Sequence, residues 1–210
     1  FTQFFEMAMD PGVDVPDRHR VVTITQRDID SGRLDPRLMF DFARWRGSLE
    51  TVESLGALRR FQANVVAPDG HATLVDGIEL SASALELAGM VPEMGRPLVS
   101  SDEVEGADRV VVLADELWRT LLSEDPEAIG RTIRLGRDTY EVIGVAQAGF
   151  QFPVGQFFWV PMSKDPAAYE PLAGPGIVTV GRLAPGRSMG DLRAGVEKLR
   201  TLVQVAEPDS

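Results

Sequence analysis

The chain has 210 residues, a length typical of one large domain or of one domain that carries an insertion. Hydrophobic residues make up 44% and charged residues 25% of the sequence, which excludes wholesale disorder. Acidic residues outnumber basic ones 32 to 21, and the net charge of -11 disfavours binding to nucleic acids or to anionic lipids. With no cysteine, the sequence also excludes disulfides, thiolate nucleophiles and cysteine-ligated metals.

The first predicted elements are a strand and an amphipathic helix. Residues Arg20 to Arg27 are rich in β-branched side chains and predict a strand. Asp35 can cap a helix that begins at Pro36, since proline fits the first helical turn. Apolar side chains then recur at helical spacing, which predicts one buried face: Leu38, Phe42, Trp45 and Leu49.

A hairpin and a short helix follow. Two apolar runs, Leu55 to Val66 and Ala72 to Leu80, flank the turn residues Pro68-Asp69-Gly70 and predict an antiparallel pair. Ser83 and Glu86 have the spacing of a capping box. We therefore expect a short helix that Ser83 caps and that Gly89 ends in the left-handed conformation.

The next segment alternates strands and helices. Val110 to Leu113 predicts a short buried strand, and a helix begins near Asp115. Asp125 to Gly130 has the cap, the proline and the closing glycine of a one-turn helix. Thr132 to Leu135 and Tyr140 to Val145 then predict a second hairpin.

The chain is predicted to close on a strand and a helix. The strand covers Ile177 to Leu183, and Ser188 caps the helix, with Asp191 three residues later. The predicted buried stripe of this helix is Leu192, Val196, Leu199 and Val203. We expect this strand to share a sheet with the strand Arg20 to Arg27, and the helices to cover one side of that sheet.

Residues 142–163 contain no charged side chain and have the length of a membrane span. Their glutamines and prolines are costly in hydrocarbon, so buried strands with a turn are the better interpretation. Five aromatic residues within this stretch are expected in the core: Phe150, Phe152, Phe157, Phe158 and Trp159. A further predicted core group, covering a strand, a helix and a hairpin, comprises Trp118, Ile129, Ile133, Val142, Ile143 and Phe150.

The sequence lacks a complete motif for nucleotide binding or for acyl transfer by a serine nucleophile. The two lysines follow Ser163 and Glu197 rather than glycine, so no P-loop exists. Gly186 to Gly190 matches the G-x-S-x-G pattern of a nucleophile elbow, but both histidines lie upstream of Ser188. Ser188 is therefore interpreted as a helix cap.

The sequence also gives little indication of a metal-binding site or of a catalytic pair of carboxylates. Neither His19 nor His71 stands in a zinc-binding pattern. The acidic group Asp102, Glu103, Glu105 and Asp108 lacks the alternation of a calcium loop and is expected to be a solvated loop. A pair of carboxylates acting as in a glycosidase stays open, but nothing selects one pair. The sequence thus predicts no catalytic, cofactor-binding or metal-site residues.

Several stretches together resemble the periplasmic core domain of MacB-like ABC transporter permeases. The most specific is VVVLADELW at Val110 to Trp118, continued by the residues from Asp125 to Leu135. YEVIGVAQAGFQF at Tyr140 to Phe152, followed by WVPM at Trp159 to Met162, is similar to a second family motif, and GRLAPG at Gly181 to Gly186 to a third. Residues 87–91 and the pair Gly95-Arg96 also match. The resemblance covers roughly residues 20 to 205 and extends to the FtsX-like permease family, including its duplicated orphan permeases.

The resemblance implies an α+β fold of two subdomains. A porter-like α/β part would be built from residues 1–85 and 166–210, and a mixed insert, called Sabre in the family, would cover residues 86–165. It also implies a domain that projects from the bacterial inner membrane on its periplasmic or extracellular face, between the first and second transmembrane helices of the permease.

The function implied by the resemblance is non-catalytic and needs no cofactor. The implied partners are the transmembrane helices of the same permease, a cytoplasmic ABC ATPase that acts through them, a second permease copy, and a periplasmic adaptor or the substrate. Two other classes stay open at this point. One is a stand-alone soluble protein that binds a ligand between its subdomains, and the other is a carboxylate-dependent hydrolase.

Overall fold

The computed structural model describes residues 4–9, 15, 17–27, 42–66, 70, 72–153, 155–162 and 176–206, which form both strands and helices. The strands are β1 (Phe4–Met9), β2 (Val21–Arg27), β3 (Val52–Val66), β4 (Ala72–Leu80), β5 (Pro92–Gly95), β6 (Val110–Leu113), β7 (Thr132–Leu135), β8 (Asp138–Ala146), β9 (Phe158–Pro161) and β10 (Val178–Leu183). The helices are α1 (residues 42–45), α2 (Ala82–Leu87), α3 (Asp115–Leu122) and α4 (Met189–Ala206), with 3-10 turns at Arg18–Arg20 and Ser100–Glu103. The predicted α+β class is confirmed.

The chain divides into two compact units. Unit 1 consists of Phe1–Pro11, Asp17–Ala57 and Asp165–Ser210, and unit 2 consists of Gly12–Pro16 and Leu58–Lys164. Unit 1 is therefore assembled from segments that precede and follow the long central segment of unit 2. Strand β3 begins in unit 1 and continues into unit 2.

Unit 1 is built on a sheet in which β2 lies between β1 and β10. Strands β2 and β10 are antiparallel, with Thr179 opposite Ile24 and Arg182 opposite Val21. The prediction that these two strands share a sheet is confirmed. They are far apart in sequence, so this pairing joins the two halves of the unit.

Two helical segments bury apolar side chains in unit 1. Phe42 and Trp45 of α1 are buried, as are Leu192 and Val196 of α4. The backbone of α4 comes close to the residues just before β3 at Gly195, where an added Cβ would touch the Leu49 side chain. The predicted stripes are confirmed at these positions, whereas Leu38 and the side chain of Val203, together with the predicted helix start at Pro36, lie outside the described residues.

Two arginines, Arg20 and Arg182, connect three strands of unit 1 through hydrogen bonds and ion pairs. Arg20 donates from Nε to the Leu183 carbonyl oxygen, 3.0 Å away, and forms an ion pair with Glu53. The Nε of Arg182 lies 3.5 Å from the same Glu53 carboxylate. These contacts link the start of β2, the start of β3 and the end of β10.

Unit 2 is built on a mixed sheet with the order β3, β4, β9, β6, β8, β5, and β7 pairs with both β3 and β8. The hairpins β3–β4 and β7–β8 are antiparallel, as predicted. Strand β9 runs parallel to β4, and β6 runs parallel to β8. Strand β6 lies in the middle of this sheet, between β9 and β8, and all four of its residues are buried.

One face of this sheet carries a core with helix α3. Leu117, Leu121 and Leu122 of the helix pack with Ile133 and Val142 of the sheet. The Trp118 ring packs against this core, and its Nε1 donates to the Asp125 carbonyl oxygen at 3.0 Å. Three of the predicted core residues, Trp118, Ile133 and Val142, therefore do belong together.

The other three residues of that predicted group, Ile129, Ile143 and Phe150, do not belong to the α3 core. Ile129 is 40% exposed, because Asp125 to Gly130 forms turns rather than the predicted helix and leaves its apolar side chain on the surface. Ile143 is buried but lies outside the α3 core, since neighbouring residues of a strand face opposite sides of the sheet. Phe150 is half-buried and packs against Trp159 instead, with ring centroids 5.3 Å apart.

The aromatic stretch behaves as a core segment. Phe152, Phe158 and Trp159 are fully buried, as predicted, while Phe157 is half-buried. The charge-free residues 142–163 contain the end of β8 and all of β9, so the predicted strands are confirmed. Among the described residues, no helix combines the length and the apolar composition needed to cross a bilayer.

The cap of α2 corrects a prediction. The N-cap is Ser81, whose Oγ accepts a hydrogen bond from the Ala84 amide at 3.3 Å, and the helix begins at Ala82. Ser83, the predicted cap, is instead the second residue of the helix, and its Oγ lies 2.9 Å from the Oγ of Ser81. Gly89 closes the helix in the left-handed conformation, with φ 70°, as expected.

Candidate functional site

The serine of the G-x-S-x-G pattern serves helix α4. The Ser188 amide and Oγ both donate to Asp191 Oδ2, each at 2.7 Å, and the Asp191 amide donates back to Ser188 Oγ. The hydrogen bonds from Ser188 hold the pKa of Asp191 below its usual value. These contacts form a capping box, as predicted, and occupy the groups that a nucleophile would need. His19 is exposed, and His71 lies outside the described residues.

In the acidic loop the Asp102 carboxylate is buried and pairs with Arg96, which corrects the prediction of a solvated loop at this residue. Asp102 is 8% exposed and accepts two hydrogen bonds from the Arg96 guanidinium, at 2.7 and 2.9 Å. It also accepts one from the Val99 amide at 2.9 Å. Burial by itself raises the pKa of Asp102, but the hydrogen bonds from Arg96 and Val99 reverse this effect and hold the pKa below its usual value.

Neighbouring residues complete the anchoring of this loop. Glu103 Oε1 accepts a hydrogen bond from the Ala82 amide in the first turn of α2, at 2.6 Å. Glu105 and Asp108 are exposed, as predicted for the whole group. The Arg96 amide also donates to the Ile143 carbonyl oxygen of β8, so residues 96–103 are fixed to the sheet and to α2, whereas residues 104–109 border solvent.

Replacing Asp102 with asparagine should lower the free energy of unfolding by about 1 to 2 kcal/mol near neutral pH, because Arg96 loses its charged partner. A depressed pKa means that the stabilisation is present above the unfolded-state value near about 4 and is lost as pH falls through the lower folded-state value. Urea unfolding of both proteins at neutral pH and at about pH 3 measures this difference. The matched variant Glu105→Gln should change stability little, and an Asp102→Asn deficit that is equal at both pH values would contradict the assignment.

Beside this loop, unit 2 has a recess of about 140 Å³, which we call the Tyr140 recess. Its lining includes Arg59, Phe61, Glu79, Asp108, Arg109 and Tyr140. Arg59 and Glu79 are opposite each other on β3 and β4, and Arg59 Nε donates to Glu79 Oε2 at 2.9 Å. Burial raises the pKa of the half-buried Tyr140 phenol, with smaller contributions from nearby charges.

A second, wider groove of about 470 Å³ borders the same loop and includes Gly95, Ile129, Glu141 and Ile143 in its lining. Tyr140 and Glu141 are consecutive in β8, so their side chains face opposite sides of the sheet. The recess and the groove therefore lie on different faces and share the loop residues Asp102, Ala107 and Asp108.

Sequence reasoning missed the Tyr140 recess, although one signal was present. Arg59 and Glu79 each lie ten residues from Asp69, the centre of the predicted turn. A hairpin symmetric about that turn pairs them directly, and opposite charges at facing positions stabilise a sheet. The approach of Tyr140 and Arg109 depends on long-range strand order, which no local pattern indicates.

In the part of the chain that the structure describes, no three His, Asp or Glu side chains converge to hold a metal ion. Described carboxylates instead form ion pairs with arginine: Asp115 with Arg119, Asp125 with Arg131, and Glu79 with Arg59.

Comparison with known proteins gives the family. The model of the MacB-like periplasmic core domain family matches residues 6–199. The periplasmic region of MacB from Actinobacillus actinomycetemcomitans is similar in fold, with a TM-score of 0.67 and 14% identity, over 90% of this chain and 85% of that one. A domain of a permease protein from Porphyromonas gingivalis gives a TM-score of 0.68 and 12% identity, over 90% and 86%.

A third solved structure comes from a Gram-positive source. The extracellular domain of the noncanonic ABC-type transporter YknZ matches with a TM-score of 0.56 and 12% identity, over 83% of this chain and 85% of that one. No curated protein matches the sequence. The family match covers nearly the whole chain, and the similar structures share its fold. The chain therefore belongs to the MacB-like periplasmic core domain family and is a periplasmic domain of an ABC transporter permease.

Proposed function

We propose that this domain is non-catalytic and carries movement of the permease's transmembrane helices to substrates or partner proteins outside the membrane. Its partners would be those helices, a cytoplasmic ABC ATPase that acts through them, and a second permease copy, a periplasmic adaptor or the exported substrate. No cofactor is involved in this role.

The proposal rests on one observation: unit 1 is assembled from the chain segments that precede and follow the long segment of unit 2. Strands β2 and β10 come from the two flanking segments and pair antiparallel in one sheet. A displacement of either segment is then transmitted to the same hydrogen-bonded sheet. In this proposal unit 1 corresponds to the porter-like subdomain and unit 2 to the Sabre-like insert, with the insert beginning near Leu58 rather than at residue 86.

The hydrogen bonds made by the candidate catalytic side chains support a non-catalytic role. Ser188 is engaged in capping α4, and Asp102 is held by Arg96. A catalytic carboxylate needs a free oxygen that faces a substrate, whereas the shielded carboxylates of Glu79 and Asp102 are bonded to arginine.

A proline in β10 tests the proposed transmission. Val180→Pro removes a backbone donor from a strand that pairs with β2, which should weaken the sheet that joins the two flanking segments. In membranes that hold the full permease and its ATPase, we expect transport to fall by about tenfold or more while ATP hydrolysis continues. The control Val180→Ala keeps the amide and should retain most transport.

A disulfide provides the converse test. Thr23 and Val180 are opposite each other in β2 and β10, and the chain has no cysteine, so Thr23→Cys with Val180→Cys introduces a single cysteine pair into this domain. If the two strands move as one body, oxidation should leave transport unchanged. Full transport by Val180→Pro at equal permease levels, or loss of transport on oxidation of the pair, would contradict the proposal.

A further inference from the structure

The Tyr140 recess has the size of a small organic molecule. Its volume of about 140 Å³ is close to the volume of cavities, about 150 Å³, that hold a benzene molecule. It is lined by both apolar and charged side chains of unit 2 alone. A ligand that fits it needs an apolar group no larger than one ring.

The apolar wall of the recess is rigid. Phe61 packs edge-on against the fully buried Phe158, with ring centroids 5.4 Å apart and an interplanar angle of 82°. Tyr140 is half-buried at the edge of the α3 core, and Val160 is 4% exposed. Because these side chains are held by the core, they offer a preformed apolar surface.

Away from the rim, each charged side chain of the recess has an ionic partner: Glu79 pairs with Arg59, and Asp102 pairs with Arg96. The Glu79 side chain is 15% exposed and is bonded to Arg59 through both Nε and Nη2. A ligand group placed beside this pair meets no net charge. The interior therefore favours an uncharged part of the ligand.

The exposed residues Asp108 and Arg109, which are consecutive in the chain and opposite in charge, both line the recess. Arg109 is 62% exposed, and its Nη2 lies 3.5 Å from the nearest Asp138 carboxylate oxygen, longer than a good hydrogen bond. Its planar guanidinium can therefore bind a carboxylate with two parallel hydrogen bonds. Asp108, the preceding residue, is an exposed carboxylate that can accept from an ammonium group.

We propose that the Tyr140 recess binds an α-amino acid with an apolar side chain. The ligand carboxylate would bind Arg109, its ammonium group would bind Asp108, and its side chain would lie against Phe61 and Tyr140. A ligand with only one of these charges leaves the other rim residue unmatched, so the zwitterion fits best. This site goes beyond the proposed transmission of movement and does not depend on it.

Three related compounds test the charge requirement on the 210-residue chain. L-phenylalanine has both charges, L-phenylalaninamide lacks the carboxylate, and N-acetyl-L-phenylalanine lacks the ammonium group. In ¹⁵N-edited NMR titrations to about 50 mM, we expect saturable shifts at Phe61 and Tyr140 with L-phenylalanine and at least about tenfold weaker binding of the other two.

Two rim variants and a control then assign each charge. Arg109→Gln should weaken L-phenylalanine binding about tenfold and abolish its advantage over the amide, whereas Asp108→Asn should abolish its advantage over the N-acetyl compound. The control Arg134→Gln removes an exposed arginine of β7 and should change nothing.

Four results would overturn the proposal. They are no saturable shift by L-phenylalanine, equal binding of all three compounds, shifts confined to residues outside the recess, and equal effects of Arg109→Gln and Arg134→Gln. Because none of these measurements involves transport, a failure here is distinguishable from a failure of the transmission proposal.

Discussion

Replacing Trp159 with alanine should lower the free energy of unfolding by about 3 to 5 kcal/mol, a large share of the total of about 5 to 15 kcal/mol. The indole is fully buried in β9, between β4 and β6, and packs against Phe150. Its Nε1 donates to the Phe152 carbonyl oxygen at 2.6 Å. Truncation therefore leaves both a cavity and a buried acceptor without its donor.

Urea unfolding separates these two effects and compares two tryptophans. Trp159→Phe keeps most of the volume but loses the hydrogen bond, so it should cost about 1 to 3 kcal/mol. Trp118→Ala should cost less than Trp159→Ala, since Trp118 is only half-buried at the edge of the α3 core. An equal or larger loss for Trp118→Ala would contradict this ranking.

Local sequence signals predicted most of the secondary structure because turn and cap residues act over a few positions. Gly136, with φ 64°, closes the β7–β8 hairpin, and Ser188 with Asp191 begins α4 where expected. The strand β6 and the helix α3 also begin at the predicted residues, Val110 and Asp115.

Errors arose where two local solutions were chemically equivalent. Ser81 and Ser83 can each cap α2, and the choice depends on which hydroxyl meets the Ala84 amide. The Asp125 side chain does accept from the Glu127 amide at 2.8 Å, as a helix cap would, but the backbone continues as turns. Those turns expose Ile129, which apolar spacing alone had placed in the core.

The candidate sites were less predictable than the elements that carry them. The pairing of β9 with β4 and of β6 with β8 is parallel and long-range, so it follows from packing rather than from turn chemistry. Asp102 looked solvated because its neighbours in sequence are acidic, whereas its partner Arg96 lies six residues away. The Tyr140 recess likewise combines residues from β3, β4 and β8 with the loop before β6.

The second large effect concerns Gly77, which faces the Phe158 ring across the β4–β9 pair. A Cβ added at Gly77 would overlap the far end of that ring. The ring cannot swing away freely, because it is fully buried and packs edge-on against Phe61. Gly77→Ala should therefore cost about 3 kcal/mol, at the upper end of overpacking substitutions.

A double-mutant cycle tests whether this clash is the cause. Phe158→Leu shortens the side chain that would collide with the new methyl group and by itself should cost about 1 to 2 kcal/mol. If the clash determines the loss, the double variant should be more stable than the sum of the two single effects predicts, by about 1 kcal/mol or more. Strictly additive losses in urea unfolding would show that Gly77 is required by the backbone of β4 rather than by the Phe158 ring.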